Sequence, residues 1–150
     1  MRILMTILFC AIIAGAAATP GSALVISSPD EVTALSGIWK IHAGDSPAFA
    51  GPEFDDARWD NTGIPGSFMR YVLQQYGSVK GIVWLRKTIT VDPALRGQGI
   101  GLSLGKIAQA DETFFNGVKI GATGSFPPDD FSAWNSPRHY FVPSHLIRYG

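Results

Sequence analysis

GIVWLRKTITVDPALRGQGIGLSLGKIAQADETFFNGVKIGATG, Gly81 to Gly124, reads as consecutive strands ending in a tight hairpin. Val83, Leu85, Ile89 and Val91 share one parity, while Trp84, Arg86, Thr88 and Thr90 share the other. That alternation predicts a strand buried on one face, with Lys87 alone breaking the apolar parity. Asp92-Pro93 ends the strand, because proline has no N–H to donate and forces its predecessor out of regular pairing. Across the glycine-rich turn Gly97-Gln98-Gly99, Ile100, Leu102 and Leu104 fall on one face of a second strand. Thr113-Phe114-Phe115 then leads through Asn116-Gly117 to Val118-Lys119-Ile120. Asn-Gly suits a two-residue type I′ turn, in which both central residues need φ > 0.

Outward from this block the pattern stays short and extended. Leu35 to His42 reads as a first, outer strand, with Trp39 and Ile41 on one parity. Ala43 to Asp56 is loop, and Asp55 to Trp59 predicts one helical turn begun by an aspartate cap. Asn61 to Pro65 is an extended edge segment. Ser67 to Tyr76 places Phe68, Tyr71, Val72 and Gln75 at helical spacing, ended by Gly77, which fits either a short helix or an irregular loop. Gly124 to Pro137 is a loop rich in proline, glycine, aspartate and aromatics. Arg138 to Pro143 is a further strand, and Ser144 to Ile147 a single turn capped by Ser144. Short strands, long turn-rich loops and little helix predict an all-β fold, an antiparallel jelly-roll β-sandwich.

Residues 1–23 read as a signal peptide: a basic start at Arg2, an apolar run from Ile3 to Ala18, and small residues at Gly21-Ser22-Ala23 before cleavage. The apolar run falls short of the roughly 20 residues of a membrane span. The expected product is one exported domain, residues 24–150, placed in the periplasm, outside the cell or on the outer face of the membrane. Cys10 is the sole cysteine, so the exported domain has no thiol, disulfide or zinc–thiolate site and relies on its core. Losing Arg2 leaves 11 basic against 12 acidic residues, a formal charge of −1. Nothing supplies the basic stripe that a nucleic-acid partner requires.

No nucleophile elbow, zinc-protease helix or phosphate-binding loop is present, so no catalytic residues are assigned. His42, His139 and His145 lack metal-ligand spacing. Asp55-Asp56, Asp111-Glu112 and Asp129-Asp130 are carboxylate pairs in turn-rich sequence, and a structural calcium ion held by loop carboxylates and carbonyls is compatible with them. No other cofactor is expected. Aromatic side chains offer flat apolar faces on which sugar rings stack, with amides and guanidinium groups to bond the hydroxyls. The loops around Trp59-Asp60 and Trp134-Asn135, with Arg138, are therefore the candidate carbohydrate contacts. Trp84, Arg86, Asn116 and Gly117 are read as structural, the Arg86 guanidinium lying against the Trp84 indole or pairing with a carboxylate.

In order along the chain, Gly37-Ile38-Trp39, Phe54-Asp55-Asp56-Ala57-Arg58-Trp59, Ile64-Pro65-Gly66, Gly81 to Lys87, Asn116 to Gly121 and Tyr140 to Pro143 resemble the N-terminal, galactose-binding-like domain of glycoside hydrolase family 2. Leu85 stands where that family has tyrosine. The resemblance implies a sugar-binding-type jelly roll without catalytic residues of its own, attached to downstream domains of a longer β-galactosidase-like or β-glucuronidase-like protein. It also implies a further strand beyond Gly150, so the sandwich is expected to lack its last strand and to fold poorly alone. Similar jelly rolls serve as extracytoplasmic sensors of bacterial membrane signalling proteins of the phosphatase or diguanylate cyclase type, the rival expectation.

Overall fold

The computed structural model describes residues 6–14 as backbone, and 24–28, 30–66, 68–78, 81–129 and 131–150. Among the described residues the strands are β1 (Thr6–Ala14), β2 (Leu24–Ile26), β3 (Gly37–Ala43), β4 (Asp60–Ile64), β5 (Gly81–Val91), β6 (Ile100–Lys106), β7 (Asp111–Phe115), β8 (Val118–Thr123) and β9 (Pro137–Val142), with one α-helix, α1 (Met69–Tyr76). The order β4-β3-β5-β1-β7-β8, with β2 also on β5, forms one sheet, and β6 pairs with β9 in a second. The chain is an all-β sandwich.

The parity of β5 explains how the layers meet. Val83, Leu85, Ile89 and Val91 enter the main core with Trp39 and Ile41 of β3, Phe115 of β7, Leu102 of β6 and Val142 of β9. On the opposite parity Trp84 and Arg86 are buried too, while Thr88 is exposed. Trp84 packs with Trp59 and Ala50, with Phe49, Phe54 and Phe114 around them, because the loop between β3 and β4 folds over the outer face of the sheet. The strand therefore has four consecutive buried residues, Val83 to Arg86, where alternation alone predicts one buried face. Loop aromatics, which carry no strand periodicity, supply that second cover.

Several expectations are corrected. The sheet is mixed: β3–β4, β3–β5 and β7–β8 are antiparallel, but β1 runs parallel to both β5 and β7, and β2 parallel to β5. β3 is an inner strand, since the short β4 takes the edge beside it. Asp55 does accept from the Ala57 N–H at 3.0 Å, but the segment to Trp59 is a turn without helix. Ser144 opens a 3₁₀ turn without acting as its cap; Pro143 holds that position and makes no side-chain cap bond. In the segment read as either helix or loop, Met69–Tyr76 form the helical alternative, α1, ended by Gly77 at φ 64°, and Ser67 lies outside the described residues. Of the segment read as a signal peptide, residues 6–14 form β1, whereas residues 1–5 and 15–23 lie outside the described residues.

The hairpin between β7 and β8 has Asn116 at φ 47° and Gly117 at φ 86°, as a type I′ turn requires. The Asn116 amide donates to the Leu146 carbonyl at 2.8 Å, tying the turn to the last segment of the chain. A Cβ at Gly117 would also lie 3.2 Å from Pro52 Cδ. Gly117→Val is expected to cost about 1–2 kcal/mol, the penalty of a left-handed conformation for a side chain with a Cβ. Urea unfolding measures it, and an unchanged midpoint would contradict the turn geometry.

Candidate functional site

The sequence-predicted contacts do not converge. Asp60 stands on the edge strand β4, whereas the Trp134 loop sits beside the start of β7, where Ala133 N–H donates to the Gln109 carbonyl at 2.8 Å. Four strand spacings separate β4 from β7 in the sheet, roughly 19 Å. One monosaccharide cannot touch both.

Trp59 is corrected from rim to core. It is 7% exposed, stacks on His42 with ring centroids 5.1 Å apart, and meets Phe49 edge-on at the same centroid distance. The Arg86 guanidinium lies over the Phe54 and Trp59 rings at 5.5 and 5.7 Å. Its Nε donates to Asp56 Oδ2 at 2.9 Å, and its Nη1 to the carbonyls of Phe49 and Gly51. Of the two expected roles for Arg86, carboxylate pairing is the one formed, and the stacking partners are Phe54 and Trp59. Trp84 Nε1 instead donates to Asp45 Oδ1 at 3.2 Å. Arg86 and Trp84 together pin the β3–β4 loop onto the sheet, a structural assignment. Asp60 remains exposed and lies beside Tyr71, whose phenol is raised above its ordinary pKa first by burial and then by the Asp60 charge.

Arg138 is also withdrawn from the surface. It is fully buried against Asp111, with Nε donating to Asp111 Oδ1 at 2.7 Å. Its Nη1 donates to the Ala133 carbonyl at 2.6 Å and to the Ser136 carbonyl, and its Nη2 to the Gln109 carbonyl at 3.0 Å. The other oxygen of Asp111 accepts from Tyr140 OH at 2.7 Å and from Thr113 Oγ1 at 3.1 Å. Tyr140 and Thr123 hydroxyls are 2.7 Å apart. Since the phenol proton goes to Asp111, Thr123 donates to the phenol oxygen. Sequence reading passed over Asp111 as half of a loop carboxylate pair. The available signal was its parity: Asp111 and Thr113 share the buried face with Phe115, so a charge there demands a buried partner. Its neighbour Glu112 faces the other way and accepts from Lys119 Nζ at 2.6 Å.

Tyr140 is pushed up to about 12, chiefly by burial, with Asp111 raising it further and Thr123 opposing. The folded state thus favours the neutral phenol. Its contribution is fully present below the unfolded value near 10 and disappears as pH rises toward 12. Stability is expected to fall between about pH 10 and 12 for the wild type, and Tyr140→Phe to flatten that fall. Denaturation midpoints across this range test it; parallel curves for both proteins would contradict it.

Besides Asp60, the candidate contacts that remain at the surface are Trp134 and Asn135, on the loop between β8 and β9. Trp134 and Phe131 are each 65% exposed, while Trp39 and Trp84 are 3% and 1% exposed. Asn135 Oδ1 accepts from Lys106 Nζ at 2.8 Å. Lys106 in turn borders a cavity of about 470 Å³ between the end of β6 and α1, walled by Trp39, Phe68, Met69, Leu104 and Ile107. At the base of the loop, Gln109 has φ 86°, and its Oε1 is buried without a hydrogen-bond partner among the described residues. The buried Arg138 holds the carbonyls of Gln109, Ala133 and Ser136, so it fixes the backbone on which Trp134 and Asn135 are displayed. The surface offers an aromatic plane, an amide and an ammonium group beside a cleft. Among the described residues, no group of three or more His, Cys, Asp or Glu side chains could hold a metal ion. Nor is any described helix long and apolar enough to cross a membrane.

No family model matches the chain, and no solved structure matches it. The chain is similar to beta-galactosidase BoGH2A of Bacteroides ovatus, 28% identical over 125 aligned residues that cover 73% of this chain. It spans only 15% of that protein's length. This similarity and the all-β sandwich fit a domain related to glycoside hydrolase family 2.

Proposed function

We propose that the chain is a non-catalytic, exported module of a protein of the glycoside hydrolase family 2 type, and that it touches carbohydrate through the loop bearing Trp134. The observation that carries the reading is Trp134 itself, a large aromatic plane 65% exposed on a loop whose backbone is fixed from beneath by a buried arginine. An exposed tryptophan loses little conformational freedom on contact, and its face accepts the C–H groups of a pyranose. Asn135 and Lys106 supply hydroxyl partners beside it. The similarity to a β-galactosidase supports the sugar class, and downstream domains of a longer protein are the proposed covalent partners.

Trp39, Trp59 and Trp84 are buried, so fluorescence that responds to an aqueous quencher reports on Trp134. Titration with galactosides and glucuronides is expected to change that emission with dissociation constants on the order of 1 mM, about −4 kcal/mol. Trp134→Ala is expected to abolish the response while leaving the melting temperature unchanged. A silent titration at millimolar sugar sinks the reading.

A further inference from the structure

Beside the Trp134 loop lies a cavity whose walls suit no sugar ring. Its floor is formed by Trp39, Leu85 and Ile107, at 3, 4 and 9% exposure, and its walls by Phe68, Met69 and Leu104. The Trp39 indole N–H, the only polar side-chain group among these six, is already donated to the Leu35 carbonyl at 2.7 Å. A pyranose pushed inside would leave hydroxyls without partners, which is costly in an apolar site. The polar side chains among the described lining residues, Ser36, Ser103 and Lys106, are exposed and stand at the rim.

The cavity's size and place fit a different part of a ligand. A dry cavity of about 150 Å³ lined by aliphatic and aromatic side chains accepts benzene, so a volume of about 470 Å³ takes an aryl group together with its linkage. Lys106 ends β6 and pairs with Pro137 of β9, and its Nζ donates to Asn135 Oδ1 at 2.8 Å. The Lys106–Asn135 pair therefore belongs both to the rim of the cavity and to the surface that displays Trp134.

We propose that this cavity holds the aglycone of a glycoside, an apolar and preferably aromatic group, while the sugar ring stays outside against Trp134. The proposal rests on the reading of Trp134 as a sugar platform and adds the class of ligand to it, the glycoside of a phenol or of an apolar alcohol. An oligosaccharide, polar along its whole length, gains nothing from such a seat. Burial of the aglycone supplies affinity, and the rim groups set the position of the linkage.

Backbone amide NMR of the full chain, titrated with methyl β-galactoside and with phenyl β-galactoside, tests it. The phenyl glycoside is expected to bind roughly tenfold or more tightly than the methyl glycoside, the gain from burying an aryl ring. It should shift the amides of Phe68, Met69 and residues 104–108 as well as those around Trp134, whereas the methyl glycoside should shift only the latter. Ala108→Phe, which puts a ring on an exposed residue of the cavity lining, should lower the phenyl glycoside to the affinity of the methyl one and leave methyl glycoside binding unchanged. Equal affinities for the two glycosides in the wild type, or a phenyl advantage that survives Ala108→Phe, overturn the aglycone seat and leave the sugar reading intact. Phenyl glycoside binding that persists in Trp134→Ala, with the methyl glycoside silent in the wild type, overturns the sugar reading alone. Silence of both glycosides overturns both.

Discussion

Asp111→Asn is expected to destabilise the domain by about 3–5 kcal/mol, because it leaves the Arg138 guanidinium buried without a counter-charge. The loss is large against the 5–15 kcal/mol that separates a typical folded domain from its unfolded chain. Neither charge is exposed, so water cannot take over the role of the missing partner. An amide has one acceptor oxygen where the carboxylate has two, so either Arg138 or the Tyr140 and Thr113 hydroxyls would also face an NH2 group and lose their acceptor. The melting temperature should drop by roughly 10–20 °C. A double change, Asp111→Leu with Arg138→Met, should recover only part of this. The carbonyls of Gln109, Ala133 and Ser136 would still lose their donor, and each buried unsatisfied acceptor carries its own cost. Thermal unfolding of the three proteins decides the matter; a drop of less than about 1 kcal/mol in Asp111→Asn would show the pair behaving like an exposed ion pair.

Trp84→Ala is expected to cost a similar 3–5 kcal/mol, the range for truncating a buried aromatic residue. Trp84 is 1% exposed and packs against Phe49 and Phe114, at centroid distances of 5.8 and 5.5 Å. Its removal opens a cavity between the sheet and the β3–β4 loop, and Asp45 loses its indole donor. Trp84→Phe keeps most of the apolar volume and gives up the N–H, so its cost should be nearer 1 kcal/mol. Limited proteolysis is a second readout: the alanine variant should be cut between Asp45 and Trp59, since the loop is held down by Trp84 and Arg86. Equal stability of the alanine and phenylalanine variants would mean that the indole is not a packing centre.

These effects sit on residues whose roles were legible to different degrees. The hairpin was readable from two residues, since Asn-Gly imposes positive φ locally and needs no knowledge of the rest of the chain. The strands at 81–91, 100–106 and 137–142 were readable through periodicity and breakers, whereas the segment ending at Gly77 was left between a short helix and an irregular loop. Trp59 was misread because a loop residue carries no periodic mark of burial, and Arg138, on the parity of Tyr140 and Val142 in β9, because a charged side chain reads as a surface one. Arg138 becomes a buried ion-pair member only because the pairing of the sheets brings Asp111 of β7 to Arg138 and Tyr140 of β9, across 27 and 29 positions of sequence. Trp134 was placed on a loop, but its exposure depends on how the loop is anchored at its base, where Ala133 is buried and its N–H donates to the Gln109 carbonyl.

The sequence by itself determined an all-β chain with an Asn-Gly hairpin, because backbone conformational preference and strand alternation act within a few residues. Only the tertiary structure decided that both faces of β5 are covered, that Arg138 and Trp59 face inward while Trp134 faces water, and that Thr6–Ala14 lies between β5 and β7. Burial, ion pairing and strand neighbours are set by segments distant in sequence, and no local pattern records which of them will meet.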